Sequence, residues 1–217
     1  MEGELQLYTF FRSSAAYRVR IALNIKGLHY RSMSKALAKG EQLQADYLAI
    51  NAQGLVPALV VQDAVLTQSL AIIEYLDEEY PTPPLLPRDP IGRAQVRAIA
   101  LAIACDIHPL NNLRVLNYLR REFKQDDEGV NAWYRHWIAE GFRALEQWAQ
   151  KYSTEGRYCF GDSVSLADVL LVPQMFNARR FQTDLAPYPK LVQICGHLEA
   201  LPEFAAARPE AQPDAQQ

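Results

Sequence analysis

The stretch Leu5-Gln6-Leu7-Tyr8-Thr9-Phe10-Phe11-Arg12-Ser13-Ser14-Ala15-Ala16-Tyr17-Arg18-Val19-Arg20-Ile21-Ala22-Leu23-Asn24-Ile25-Lys26 decides the fold. Leu5 to Phe10 alternates with the period of two expected of a strand. From Ser14 to Lys26 the apolar residues Val19, Ala22 and Leu23 take helical spacing, and Lys26-Gly27 supplies the stop. A strand that turns through two hydroxyls into a helix leaves them at the helix N-terminus. The first backbone N–H groups there have no partner inside the helix, and the peptide dipoles add partial positive charge. Ser13 and Ser14 therefore either cap the helix or face an anion held against it. A thiolate, carboxylate or phosphate suits the place.

Working outward, His29 to Ser34 reads as a short extended segment and Glu41 to Ile50 as a helix burying Leu43, Tyr47, Leu48 and Ile50. Val56 to Val61 is a strand opening on Pro57. Ala64 to Thr67 is its hairpin partner across Gln62-Asp63, and Ser69 caps a helix over Leu70 to Tyr80. The order is β-α-β-α-β-β-α. Five prolines fall between Pro81 and Pro90, which marks a linker, because proline neither continues a helix nor donates to a sheet. Beyond it the pattern is helical over Ile91 to Phe123, Gly129 to Tyr152, Ser165 to Arg180 and Tyr188 to Leu201. The expected architecture is an α/β domain over residues 1–81, a linker over 82–90 and an all-helical domain over 91–217. The polar tail from Arg208 is expected to be loosely ordered.

Of the 217 residues 49% are hydrophobic and 22% charged, which excludes a disordered chain. A net charge of −3 argues against nucleic-acid binding, which wants a basic footprint. Arginines still cluster locally (Arg12, Arg18 and Arg20; Arg120 and Arg121; Arg179 and Arg180), leaving room for a small anionic ligand. Three widely spaced cysteines, Cys105, Cys159 and Cys195, form no metal or redox spacing and suit a reducing compartment. Met1-Glu2-Gly3-Glu4 is acidic without an apolar signal core, and no run approaches the ~18 apolar residues of a membrane span, so the expected location is the cytoplasm with no membrane partner.

Val56-Pro57 has two readings. A trans proline at a strand edge is the common case, whereas a cis proline would turn the Val56 backbone outward to pair with a peptide ligand as a strand would. Gln68-Ser69 is a second helix start in the same domain and reads as a plain cap or as a carboxylate site. Two helix N-termini and an open strand edge on one small sheet fit a short anionic peptide bearing a thiol.

With these residues in view the chain resembles the glutathione transferases. The element Arg12-Ser13-Ser14 followed by Arg18-Val19-Arg20-Ile21-Ala22-Leu23 resembles the zeta class, which includes maleylacetoacetate and maleylpyruvate isomerases. The similarity runs through Leu55 to Leu59, Gln68 to Leu76, Leu85 to Pro87, Ile107 to Leu113, Gly161 to Asp168, Val172 to Gln174, Arg180 to Leu185 and Pro187 to Pro189. The resemblance implies a thioredoxin-like N-terminal domain with Pro57 cis, a helical C-terminal domain, a homodimer, and glutathione as cofactor. It implies that Ser13 hydrogen-bonds the glutathione sulfur with Ser14 beside it. Gln42, Val56 and Pro57 would hold the cysteinyl-glycine part, Gln68 and Ser69 the γ-glutamyl end, and His108 and Asn112 would contribute from the helical domain. Two positions depart from the family's pattern: Ala15 stands where a cysteine is usual, and Tyr17 where tryptophan often is.

A free thiol has a pKa near ~8.5, and a donated hydroxyl at a helix N-terminus favours its anion. The resemblance implies cis–trans isomerisation of a maleyl-type dicarboxylate, with alternatives of a conjugating, peroxidase or dehalogenating transferase and of a glutathione-binding protein without turnover. A dicarboxylate needs cationic clamps, and Arg12, Arg114 and Arg180 are the candidates. Arg180 reads equally as a solvated or salt-bridged residue, and His108 before Pro109 as a buried histidine at a kink. Ser165-Leu166-Ala167-Asp168 reads as a structural capping box, and Cys105 and Cys159 as core residues.

Overall fold

In the computed structural model, which describes residues 4–216, the first stretch forms β1 (Leu5–Thr9) and α1 (Ser14–Ile25). Met1, Glu2 and Gly3 of the acidic start lie outside the described residues, as does Gln217. Leu5, Leu7 and Thr9 of β1 point into the core, and every residue of α1 from Ser14 to Leu23 is buried. A helix buried on all sides is sandwiched, not amphipathic. Lys26 ends α1, and Gly27, at φ 66°, takes the left-handed conformation that closes a helix.

β2 (Tyr30–Ser34) runs parallel to β1. The helix expected over Glu41 to Ile50 is broken. Two 3-10 turns, Leu37–Lys39 and Glu41–Leu43, precede a short α2 (Ala45–Leu48). Gln44 is extended (φ −76°, ψ 151°), and Glu41 spends its carboxylate on the Ala36 N–H. β3 (Ala58–Val61) and β4 (Ala64–Thr67) make the expected hairpin, and α3 (Ser69–Glu79) follows. β3 also pairs antiparallel with β1, giving the order β2-β1-β3-β4 of the thioredoxin-like arrangement.

The contacts divide the chain into two units, one reaching to Pro84 and resuming at Ala200, the other spanning Leu85–Glu199. The second unit holds α4 (Pro90–Leu101), α5 (Leu113–Glu122), α6 (Asp127–Tyr152), α7 (Leu166–Arg180) and α8 (Pro189–Leu198). The single helix expected from Ile91 to Phe123 is split by a π-turn over Ala102–Ile107 and a 3-10 turn over Pro109–Asn111. Pro109 has no N–H to continue the ladder, and the His108 N–H bonds back to Ile103. Val96, Ile99, Ile103, Ile138, Phe142, Val169 and Ile194 form this unit's core. Asp168 is fully buried and accepts from the N–H groups of Ser165 and Cys159 and from the Ser165 hydroxyl, which fixes the start of α7 as the capping-box reading requires. Burial raises its pKa, and burial pushes the Cys159 and Cys195 thiols well up. Cys105, expected in the core, is exposed on the π-turn.

The polar tail also departs from expectation. α9 (Pro202–Ala207) packs on α1, and two 3-10 turns follow, Pro209–Ala211 and Pro213–Gln216. Pro209 and Asp214 are buried, and Asp214 accepts from the Phe11 N–H and the Ser34 hydroxyl, so the segment is ordered by partners distant in sequence.

Candidate active site

Strand register brings three segments to one edge. Ala58, the first residue of β3, lies opposite Tyr8 of β1 and Thr67 of β4. The exit of β1 (Phe10 to Ser14), the entry to β3 (Leu55 to Pro57) and the exit of β4 (Gln68-Ser69) therefore share the end of the sheet. The sequence marks these three segments, and the fold unites them. A groove of about 370 Å³ lined by Glu4, His29, Gln62, Tyr75 and Tyr80 lies at the sheet's opposite end and takes no part.

Ser13 caps α1, its Oγ accepting from the Ala16 N–H at 3.2 Å. A hydroxyl oxygen engaged in this way keeps its own proton to donate, so capping and anion binding coexist in one side chain. Ser13 is half-buried, whereas Ser14 is buried in the first turn. Arg12 is exposed, its guanidinium lying over the Phe11 ring at 4.9 Å. Arg18 and Arg20, which the sequence groups with Arg12 as cations open to a ligand, are instead buried within the first unit. Arg20 donates to the carbonyls of Phe10, Phe11 and Ala207 and to Thr9 Oγ1. Burial lowers its pKa to about 10, which leaves it a cation at neutral pH.

The Val56-Pro57 peptide is cis, and Val56 precedes the ladder that starts at Ala58. The preceding Leu55 carbonyl accepts from Tyr47 Oη at 2.7 Å and Asn51 Nδ2 at 2.8 Å. Burial raises the Tyr47 pKa to about 12, so this phenol stays a donor at neutral pH. Gly54, at φ 61°, packs against Gln42, where an added Cβ would stand 2.9 Å from the Leu43 side chain and 3.1 Å from the Gln42 carbonyl. Only glycine fits that approach. The Gln42 Oε1 is buried beside this loop without a hydrogen-bond partner, an acceptor that a ligand's N–H would satisfy.

At α3 the residue roles differ from the expected Ser69 cap. Gln68 is the N-cap residue, at φ 67°, and Ser69 lies in the first turn. The exposed Gln68 amide donates to Gln53 Oε1. The buried Ser69 Oγ accepts from Arg18 Nη1 at 3.3 Å. Arg18, Tyr47, Asn51 and Arg20 are the supporting residues that sequence reasoning missed; two arginines at i and i+2 in an otherwise apolar helix were the available signal.

His108, Asn112, Arg114 and Arg180 belong to the helical unit. Half-buried His108 sits where the π-turn meets the 3-10 turn, and Asn112 caps α5 through the Arg114 N–H. Arg114 is exposed. Arg180, exposed at the end of α7, lies over Phe181, while its neighbour Arg179 pairs with Glu199 at 2.6 Å.

Comparison with known proteins agrees with this geometry. The profile of the glutathione S-transferase N-terminal domain matches residues 3–78. A probable maleylacetoacetate isomerase of Vibrio cholerae is 54% identical over 213 residues, covering 97% of this chain and 98% of the relative. A solved maleylpyruvate isomerase, described as a bacterial glutathione S-transferase of the zeta class, superposes with a TM-score of 0.95 at 50% identity over 97% of this chain and 99% of that one. The chain belongs to the zeta class of glutathione transferases. A further solved relative, the maleylacetoacetate isomerase of Methylobacterium extorquens AM1, holds malonate and glutathione; it is 41% identical with a TM-score of 0.93, over 97% of this chain and 99% of its own. Glutathione is the cofactor of this class. Two helix N-termini, a strand entry outside the ladder and the orphaned Gln42 acceptor fit a tripeptide thiol with two carboxylates.

Proposed function

We propose that this zeta-class transferase is a glutathione-dependent cis–trans isomerase that converts a maleyl-type dicarboxylate, maleylacetoacetate or maleylpyruvate, to its fumaryl isomer in aromatic catabolism. The observation that carries the reading is the gathering of Ser13, Val56-Pro57 and Gln68-Ser69 on one sheet edge, in a chain that shares 54% identity with a probable maleylacetoacetate isomerase.

Bound glutathione supplies a thiolate whose reversible addition to an activated cis double bond permits rotation and regenerates the free cofactor. Ser13 donates its hydroxyl proton to that sulfur at the positive end of α1, which holds the thiol in its reactive anionic form. Ser14 backs the same turn. The Val56 peptide pairs with the cysteinyl backbone, Pro57 shapes that edge, and Gln42 accepts from the cysteinyl-glycine part. Gln68, Ser69 and the open N–H groups of α3 take the γ-glutamyl carboxylate. His108 and Asn112 are carried as further cofactor contacts of the helical unit. Arg12, Arg114 and Arg180 are assigned to the substrate's carboxylates, which a guanidinium binds through paired donors. Ala15 is no obstacle, because the cofactor brings its own thiol. We also propose a cytoplasmic homodimer, without nucleic-acid or membrane partners; among the described residues no helix is long and apolar enough to cross a membrane.

The test is to mix the purified protein with maleylpyruvate or maleylacetoacetate, with and without glutathione. The expected result is formation of the fumaryl isomer only when glutathione is present. Conjugation of haloarenes without isomerisation would favour a conjugating transferase, and binding without turnover a non-catalytic protein. Arg12→Met and Arg180→Met are each expected to lower isomerase efficiency by about ten- to a thousand-fold while leaving a neutral electrophile little affected. Equal losses on both substrates would make these arginines structural.

A further inference from the structure

The peptide that leads into Ser13 is held by a side chain more than two hundred residues away. The Phe11 N–H donates to Asp214 Oδ2 at 2.9 Å, and the same oxygen accepts from Ser34 Oγ at 2.7 Å at the end of β2. Arg20 Nη1 reaches the Phe10 carbonyl of that same peptide unit at 3.4 Å, and Nη2 donates to the Phe11 carbonyl of the next one at 2.9 Å. Arg20 Nε fastens the Ala207 carbonyl at 3.1 Å, and Asn24 Nδ2 fastens that of Glu203 at 2.8 Å, so the segment carrying Asp214 is tied to α1 before it returns to the turn. The Ser13 N–H in turn bonds to the Phe10 carbonyl at 2.9 Å, which puts Ser13 one step from the clamped peptides.

We propose that Asp214 is a positioning residue for the reaction: with Arg20 as the opposing jaw, it fixes the Phe10–Phe11 turn and thereby the directions in which Arg12 and the Ser13 hydroxyl leave it. The inference rests on the reading of Ser13 as the donor to the cofactor sulfur. Residue chemistry supports a role beyond tethering. A tether alone is already provided by α9, packed on α1 and bonded through Asn24 and Arg20. Asp214 adds a charge-assisted bond to the Phe11 N–H in the turn before Ser13, and it lies close enough to Arg20 to favour that guanidinium's charge. Placement of a donor against a reacting sulfur tolerates little angular drift, so loss of one jaw is read in turnover before it is read in binding.

Asp214→Ala and Asp214→Asn test the proposal in the intact protein. The asparagine amide oxygen still accepts from the Phe11 N–H, so it is the rescue variant. For Asp214→Ala the expected outcome is a fall in kcat of about tenfold with glutathione affinity within about twofold of the starting protein. The ultraviolet absorbance of the bound thiolate should also appear at higher pH. Asp214→Asn should recover most of both. An unchanged kcat and titration in Asp214→Ala would overturn the proposal. So would parallel losses of glutathione affinity, turnover and thermal stability in both variants, which would make the residue a strap. The thiolate titration needs no isomerase substrate. A parent protein that forms the thiolate but leaves maleyl substrates unchanged would therefore overturn the proposed reaction, while the shift in Asp214→Ala would still decide the role of Asp214.

Discussion

The two serine-bearing helix starts of the first unit look alike in sequence and are built differently. At α1 the serine precedes the helix, and its oxygen is spent on the Ala16 N–H while its proton is kept for another partner. At α3 the serine lies inside the first turn, the cap position is held by Gln68 with positive φ, and the hydroxyl oxygen accepts a hydrogen bond from Arg18. Both are served by α1: Arg18 reaches across to Ser69, and Arg20 reaches back to the turn before Ser13. A hydroxyl aimed outward from a cap suits a sulfur that must change its charge state. A hydroxyl held by a fixed cation suits a carboxylate that stays charged throughout. On the proposed reading, one helix start serves chemistry and the other grip.

The variant with the largest expected effect removes the brace behind the first of these starts. Arg20→Met leaves the Phe11 and Ala207 carbonyls without this donor and the Phe10 carbonyl with the Ser13 N–H alone, and unfolding in urea should register a loss of roughly 3–5 kcal/mol. A loss below about 1 kcal/mol would mean that water replaces the guanidinium easily and the turn is not braced by it. Ser13→Ala comes next and separates the starts. Turnover should fall by about one to two decades, the worth of a charge-assisted hydrogen bond of roughly 1.5–3 kcal/mol, while the Kd for glutathione moves little. Should Ser14→Ala reproduce this and Ser13→Ala not, the two hydroxyls exchange roles. The mirror-image result is expected of Ser69→Ala: calorimetry should read about tenfold weaker glutathione binding, with kcat at saturating cofactor nearly unchanged. A kcat loss as large as that of Ser13→Ala would erase the distinction between chemistry and grip. The smallest effect is expected of Ala15→Cys, which restores the family's usual residue and should alter isomerisation less than about twofold, since Ala15 is buried and the donor role falls to Ser13.

What the sequence discloses follows from where the partners lie. The β1–α1 junction is legible because the apolar period changes from two to that of a helix within a few residues, and the hairpin of β3 and β4 because its turn is local. Ser13, Val56-Pro57 and Gln68-Ser69 are each legible as isolated helix starts or strand entries, and the antiparallel register then brings them together. Arg18 and Arg20 were misleading as surface cations because their partners lie far along the chain, Ser69 at a separation of 51 and Ala207 at 187. In sequence Asp214 reads as part of a loosely ordered polar tail for the same reason, since its bond to Phe11 spans 203 positions. The broken helix over 41–50 escaped because periodicity does not register a single extended residue such as Gln44. The split at Pro109 was foreshadowed by the proline itself, which a long apolar pattern on either side concealed.

Because the first unit is completed only by residues after Ala200, its assembly has an order imposed by synthesis. Strands, both serine-bearing helix starts and the whole of the helical unit leave the ribosome before Ala207 and Asp214 do, and domains generally fold as they emerge. The turn before Ser13 is therefore translated well before the residues that secure it. A nascent chain that has not reached Asp214 carries Ser13, Val56 and Gln68-Ser69, the proposed cofactor contacts, yet lacks the clamp on the turn, which closes only once Asp214 has been translated.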